Sequence, residues 1–569
     1  GTSAFVGPVQ ISGSLNQALN GVASEYSHAE GRNTLASGGF AHAEGQFTTA
    51  SGFYSHAEGY KTRALYTYSH AEGYETTAEG VNSHAEGALT HTSAGYSHAE
   101  GYRTRTTGHF AHAEGSGSLA SGFSSHAEGY HATSSGDYAH ASGLYTTASG
   151  EGARSAGQFS VAAGKGSHAE GYASNVVSAW AHAEGFYTRA AQTYSHAEGY
   201  FATASGIGSH AEGQYTTAQG HYSHAEGTLT KTTAAAHAEG YGTLASNAYA
   251  HAEGYYATAS GQYSHAEGKS TIANGAGSHA EGGDTNASGI QAHSEGYFTK
   301  AQGHRSHAEG YHATSSGQYA HAEGTHTLAS GESSHAEGDR ANSSGEASHA
   351  EGQLTLASGN FSHAEGYFST ASFGYAHAEG FQSQATALAS HAEGHVSTAS
   401  GMYSHAEGDR ANSSGDFSHA EGAQTTAAGN YSHAEGYFAT SSGPYSHAEG
   451  ERTLASGDAS HAEGEFTTAQ GHYSHAEGYF TLASGLYSHA EGMHTTASNQ
   501  GSRAAGLRSH SNGNAAAAEG QQTLASGDYS YAGGLYTTAS GEGARSLGEN
   551  TNAVGQAALS QGRLTRASG

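Results

Sequence analysis

The pentapeptide Ser27-His28-Ala29-Glu30-Gly31 returns every fourteen residues through almost the whole chain, and no other feature restricts the possible folds as strongly. Its next copies are Ala41-His42-Ala43-Glu44-Gly45, Ser55-His56-Ala57-Glu58-Gly59 and Ser69-His70-Ala71-Glu72-Gly73, with a weaker pentad between each pair, as in Thr34-Leu35-Ala36-Ser37-Gly38. The unit reads S-H-A-E-G-Y-x and then T-x-A-S-G-x-Y, so that positions one to fourteen make two halves of seven. A fixed short period specifies a stack of like units, each unable to bury a core alone, and takes precedence over a domain count from length.

These sevens are not coiled-coil heptads. Glycine at every seventh position costs a helix about 1 kcal/mol each, and no a/d apolar seam accompanies it. Alternation within each pentad gives a strand instead, with Ser and Ala on one side and His and Glu on the other. In the second half Thr and Ala share a side, opposite the variable residue and Ser. Small residues therefore point inward. The glycines at positions five and twelve suit corners that need a positive φ or a close backbone approach. The fold class expected is all-β: a repetitive parallel β-roll solenoid with fourteen residues and two short strands per coil, roughly 39 coils in all.

Composition alone would indicate disorder, since the chain has 86 Gly, few large aliphatic residues and a formal charge of −30. The strict period argues the other way, because stacked coils bury backbone and small side chains continuously. With no cysteine, neither disulfides nor thiolate metal sites are available, and the redox compartment stays open. No run approaches the ~18 apolar residues of a membrane span, and the acidic balance disfavours nucleic acid and anionic membrane as partners. The chain starts at Gly1, as a processed or partial product would.

Residues 1–26 do not fit the repeat; Phe5, Val6, Pro8, Val9 and Ile11 make an apolar cluster expected of a cap or of the end of a preceding segment. Residues 27–569 read as one continuous roll, with a one-residue slip before Ala236. Whole coils have been copied, since the run from Leu144 to Ser155 recurs identically from Leu535 to Ser546.

Copies such as Ser55-His56-Ala57-Glu58-Gly59 match the pattern S-x-A-x-G, and half-repeats of this form resemble the YadA-like head repeats of trimeric autotransporter adhesins. The resemblance covers about 27–569 and implies a left-handed roll, homotrimeric assembly and a surface adhesion or fibre role; related repeats are expected in phage-type fibres. One departure stands out. The two x positions are apolar in that family and help build the trimer interface, whereas here they are His and Glu.

Two residues apart on a strand, His and Glu share a face, and stacking at ~4.8 Å turns them into adjoining columns. His28, Glu30, His42, Glu44, His56, Glu58, His70 and Glu72 begin this structural ladder. A His flanked by carboxylates is expected to have a raised pKa, which places maximal stability in mildly acidic solution near pH ~5–6. His and Glu are also ligands for Zn or Ni, which keeps a divalent metal on the columns as a minor alternative to having no cofactor. Catalysis is not expected, because Ser at position one lies on the face opposite His and every coil offers the same convex surface. Tyr54, Tyr60, Tyr68, Tyr74, Tyr96 and Tyr102, at positions six and fourteen, form a candidate aromatic contact stripe. These features read as a non-enzymatic structural or adhesive fibre, extracellular, at a cell surface or virion-associated. Its partners would be further copies of itself and a cell-surface receptor or glycan. The alternative is a metal- or pH-responsive binding filament.

Overall fold

The computed structural model describes residues 22–24 and 26–568. The apolar cluster from Phe5 to Ile11, expected to act as a cap, lies outside the described residues. Among the described residues there is no helix, and thirty-nine strands of five residues alternate with strands of two. The chain is an all-β parallel solenoid of about 39 turns. It divides into two units, one ending at Gly283 and the other beginning at Asp284. The first holds nineteen five-residue strands, from His28–Arg32 to His279–Gly283; the second holds twenty, from His293–Tyr297 to Leu559–Arg563.

Pairing within each unit is parallel and in register with the repeat. His84–Ala88 lies beside His98–Tyr102 with His84 opposite His98, Ala85 opposite Ala99 and Glu86 opposite Glu100. The short strands stack likewise, with Leu119 opposite Thr133 and Ala120 opposite Ser134. Val22–Ala23 already pairs with Leu35–Ala36, so the stacking begins before Ser27.

The interior is as thin as the alternation demands. Ala at positions three and ten, Ser at one and Thr at eight are fully buried, and Val176 is the largest of the fully buried side chains. Ser at position one closes a corner by donating Oγ to the carbonyl of position twelve, as Ser55 does to Gly52 at 2.7 Å. Many Thr at position eight, among them Thr48, Thr62 and Thr76, bury a hydroxyl that has no partner. Ser in the same place finds one, as when Ser118 donates to the Gly129 carbonyl at 3.0 Å.

The two glycine positions differ in kind. Position five is the fourth residue of the long strand and holds a positive φ, +107° at Gly101, where an added Cβ would meet the Gly115 carbonyl oxygen at 2.1 Å. Position twelve has no positive φ; it is tight only because the next coil is close, so that a Cβ added at Gly108 would meet the Gly122 oxygen at 1.9 Å. Position twelve accordingly admits Tyr66, Ala94 and Phe373, while position five is glycine in every coil.

Further left-handed corners, which the glycine pattern did not mark, fall at positions seven and fourteen. There Phe47, Lys61, Tyr54, Trp180 and Val396 all hold φ between 55° and 62°. Bulky residues pay about 1–2 kcal/mol for this conformation. Each is tied to the preceding coil by its own N–H, Tyr54 to the Gly39 carbonyl at 2.9 Å and Phe47 to that of Arg32 at 2.8 Å. At the aromatic corners ring stacking contributes further, as where Tyr54 lies between Phe40 and Tyr68.

The one-residue slip is absorbed in the second corner. Ala234 takes the place of position twelve against Gly220, Tyr249 donates to the Ala235 carbonyl at 2.7 Å as position fourteen does to thirteen elsewhere, and the left-handed residue is missing. The strands on either side keep register, with His224 opposite His237.

Candidate functional site

The long strand presents His and Glu outward on most coils, with a break at Arg154–Gln158 and an end at Arg503–Leu507, and the parallel register converts them into two columns. Imidazoles of successive coils stack face to face. Ring centroids are 4.7 Å apart for His42 and His56, 4.6 Å for His56 and His70, and 4.7 Å at an angle of 7° across the slip from His224 to His237. The spacing is that of the coils themselves, so the stack follows from backbone pairing.

Beside most imidazoles stands the carboxylate of their own strand; His140, whose strand carries Ser142 instead, has Glu128 of the preceding coil at 3.9 Å. Nε2 to Oε2 distances are 4.0 Å for His28 and Glu30, 3.7 Å for His42 and Glu44, and 3.6 Å for both His56 with Glu58 and His70 with Glu72. These exceed hydrogen-bond length. The geometry leaves the Nε2 atoms of His42, His56, His70, His84, His98 and His112 buried from solvent with no hydrogen-bond partner, although the side chains as a whole are about one-third exposed, 36% at His70.

This burial reverses the expected titration. Desolvation, followed by the charge of the neighbouring His, pulls the pKa of His70, His84, His98 and His112 below its ordinary value, against the raising effect of the Glu carboxylates. His391 is pushed down to about 4, by burial first and then by His377 and His405. The expectation of raised values fails because stacking places imidazole against imidazole and the carboxylates stay half in water, where their field is screened.

Serine and histidine do not form a nucleophile pair. Ser97 points inward and donates Oγ to the Ala94 carbonyl at 2.7 Å, on the side of the strand away from His98. The acids and imidazoles of the columns thus belong to an array repeated coil after coil.

Tyrosines fall into separate columns rather than one stripe. Tyr54 and Tyr68, at position fourteen, stack at 5.2 Å and 3°, and Phe40 continues the column at 5.0 Å from Tyr54. Tyr96 stacks on Phe110 at 4.9 Å in the same kind of corner. Tyr60 and Tyr74, at position six, stack at 5.1 Å, while Arg103 lies over the Tyr102 ring at 5.1 Å. A third column, at position seven, was not anticipated; Tyr187, Phe201 and Tyr215 stack there at 5.0 and 5.4 Å. Its signal was present in the sequence as aromatic residues following position six, as in Phe186-Tyr187 and Tyr200-Phe201. The named rings at positions seven and fourteen are exposed, while those at position six range from exposed at Tyr74 to half-buried at Tyr60.

A further ladder runs through position thirteen. Asp137 accepts from the Phe123 N–H at 2.8 Å, Asp416 from Met402 at 3.0 Å and Asn360 from Glu346 at 3.1 Å, each reaching back one coil. Such side chains fasten corners that the strand pairing leaves open.

Parallel coils of fourteen residues, a core of Ala, Ser and Thr, and columns of like side chains on the outside define a parallel β-roll repeat protein. Eight segments, residues 29–55, 113–139, 141–167, 197–223, 252–278, 322–341, 350–372 and 448–474, match the family model described as YadA head domain repeat (2 copies), and the parallel solenoid is consistent with YadA-like head repeats. No curated protein matches the chain. The YadA head family is one of adhesins, not of enzymes, and its members are surface-exposed.

Proposed function

We propose that the protein is a non-enzymatic adhesive or structural fibre that works as a homotrimer outside the cell, on a cell surface or on a virion. The observation that carries this reading is the recurrence, coil after coil, of one outward set of side chains on YadA-like head repeats. An enzyme needs a single concave constellation, whereas a repeated convex surface multiplies weak contacts into avidity. Stacked exposed rings such as Phe40, Tyr54 and Tyr68 suit the faces of sugar rings, which makes a cell-surface glycan the favoured receptor. The net charge of −30 argues against nucleic acid and against anionic membrane surfaces.

Sedimentation equilibrium of the full chain tests the assembly, with three times 57.6 kDa as the expected mass. Retention of protein-coated beads on cells and on a glycan array tests adhesion. Replacing Tyr54 and Tyr68 by Ser, with their equivalents along the column, is expected to lower retention at least several-fold. A monomer that holds to neither cells nor glycans would rule the reading out.

A further inference from the structure

The ladder contains more than paired side chains. His84, Glu86 and His98 offer three ligand atoms that all lie within 4.8 Å of one another, and the same holds for His98, Glu100 and His112, for His112, Glu114 and His126, for His126, Glu128 and His140, and for His335, Glu337 and His349. The two imidazoles of each step are stacked at 4.6 to 4.8 Å. Within a strand Nε2 and Oε2 stand 3.8 Å apart at His84 and Glu86, 3.7 Å at His112 and Glu114, and 3.9 Å at His335 and Glu337. These separations are too long for a hydrogen bond. They are what two metal–ligand bonds of about 2.1 Å span when the angle between them is about 120–135°.

The Nε2 atoms strengthen the case. Those of His84, His98, His112, His126, His140, His335 and His349 are buried from solvent and partnerless, an arrangement that costs free energy unless something is drawn between nitrogen and carboxylate. We propose that each step of two stacked His and one Glu is a binding site for a divalent transition-metal ion, filled at most at every second step. Two imidazoles and a carboxylate select Zn, Ni, Co or Cu over Mg and Ca, and the half-exposed Glu leaves the remaining coordination positions to water.

The limit on occupancy follows from sharing. His98, His112 and His126 each belong to two neighbouring steps, yet one imidazole nitrogen has one lone pair to give. Filling alternate steps also keeps ions about 9.6 Å apart instead of about 4.8 Å, which halves their mutual repulsion. The steps between His84 and His140 therefore hold two ions at most, and the step at His335 holds one more. This inference stands whether or not the fibre adheres to anything.

The test uses the full chain with Zn2+ or Co2+ as the probe, read by elemental analysis after gel filtration and, for Co2+, by the visible band of a low-symmetry site. The expected result is retention at micromolar ion with no more than one ion per two ladder coils. Changing His98, His126 and His349 to Gln breaks every step named above and should remove about three ions per chain. Changing Glu86, Glu100, Glu114, Glu128 and Glu337 to Gln, which leaves every imidazole in place and no named step with its carboxylate, should weaken those sites about tenfold or more. Changing His221 and His472, which lie on corners away from the ladder, should alter nothing. Absence of retained ion, one ion per coil, or losses no greater in the ladder variants than in the corner variant would each overturn the proposal. Circular dichroism of the Glu variants guards against mistaking misfolding for lost ligands.

Discussion

Two kinds of glycine show how much a single residue can mean in a stacked fold. At Gly101 the positive φ and the Gly115 carbonyl at 2.1 Å from a built Cβ act together; at Gly108 only the close approach operates. Tyr66 and Ala94 show that position twelve accepts a side chain, whereas position five holds glycine in every coil. Gly101→Ala is accordingly expected to cost about 2–3 kcal/mol locally, and Gly108→Ala to stay within about 1 kcal/mol. Because a long repeat array unfolds locally rather than as one unit, the measurement is hydrogen exchange of the peptides around each site. Equal loss of protection at the two sites would show that proximity alone, and not φ, dictates the glycine.

Within a coil, the narrow gap between the long and short strands decides which side chains the interior accepts. Ala99 is fully buried, and the largest fully buried neighbour in any coil is Val176, at position ten. Ala99→Leu should therefore overpack the roll and cost about 1–3 kcal/mol, whereas Ala120→Val, at the position Val176 already occupies, should cost less than about 1.5 kcal/mol. Thr62→Val is expected to be neutral or slightly stabilising, since it replaces a buried, partnerless hydroxyl with a methyl group of the same shape. Local hydrogen exchange again reports the outcome. A marked loss in Thr62→Val would mean that the hydroxyl holds a partner such as water.

For the molecule as a whole, the His columns set the response to acid. The folded pKa values of His84, His98 and His391 lie below the ordinary one, so the unfolded chain binds more protons between the two values and stability rises with pH there. The contribution of neutral stacked His is complete above the ordinary value of about 6.5 and is lost as pH falls toward about 4, the value reached by His391. Denaturant unfolding in chelator-treated buffer from pH 4 to 8 should show stability falling on the acid side, the reverse of what paired His and Glu alone would give. Replacing His84, His98 and His112 with Gln should flatten the profile of exchange in that region. A maximum near pH 5–6 that the replacement abolishes would show that the carboxylates prevail over burial.

Period and alternation were enough to determine the coil, its parallel pairing and the inward face of Ser, Ala and Thr, because a strand repeats every two residues and a fourteen-residue unit can meet only its own copy. They also placed His28 beside Glu30 and Tyr54 above Tyr68. What they could not determine was the energetic character of those columns. Glu44 is visible next to His42 in the sequence, but the burial of the His42 ring between those of His28 and His56 is visible only once the coils are stacked, and that burial lowers a pKa that the carboxylate alone would raise. The left-handed corners at Phe47 and Tyr54 were hidden for the same reason. Local propensity assigns such φ values to glycine, and only hydrogen bonds and ring contacts from neighbouring coils make them available to aromatic residues.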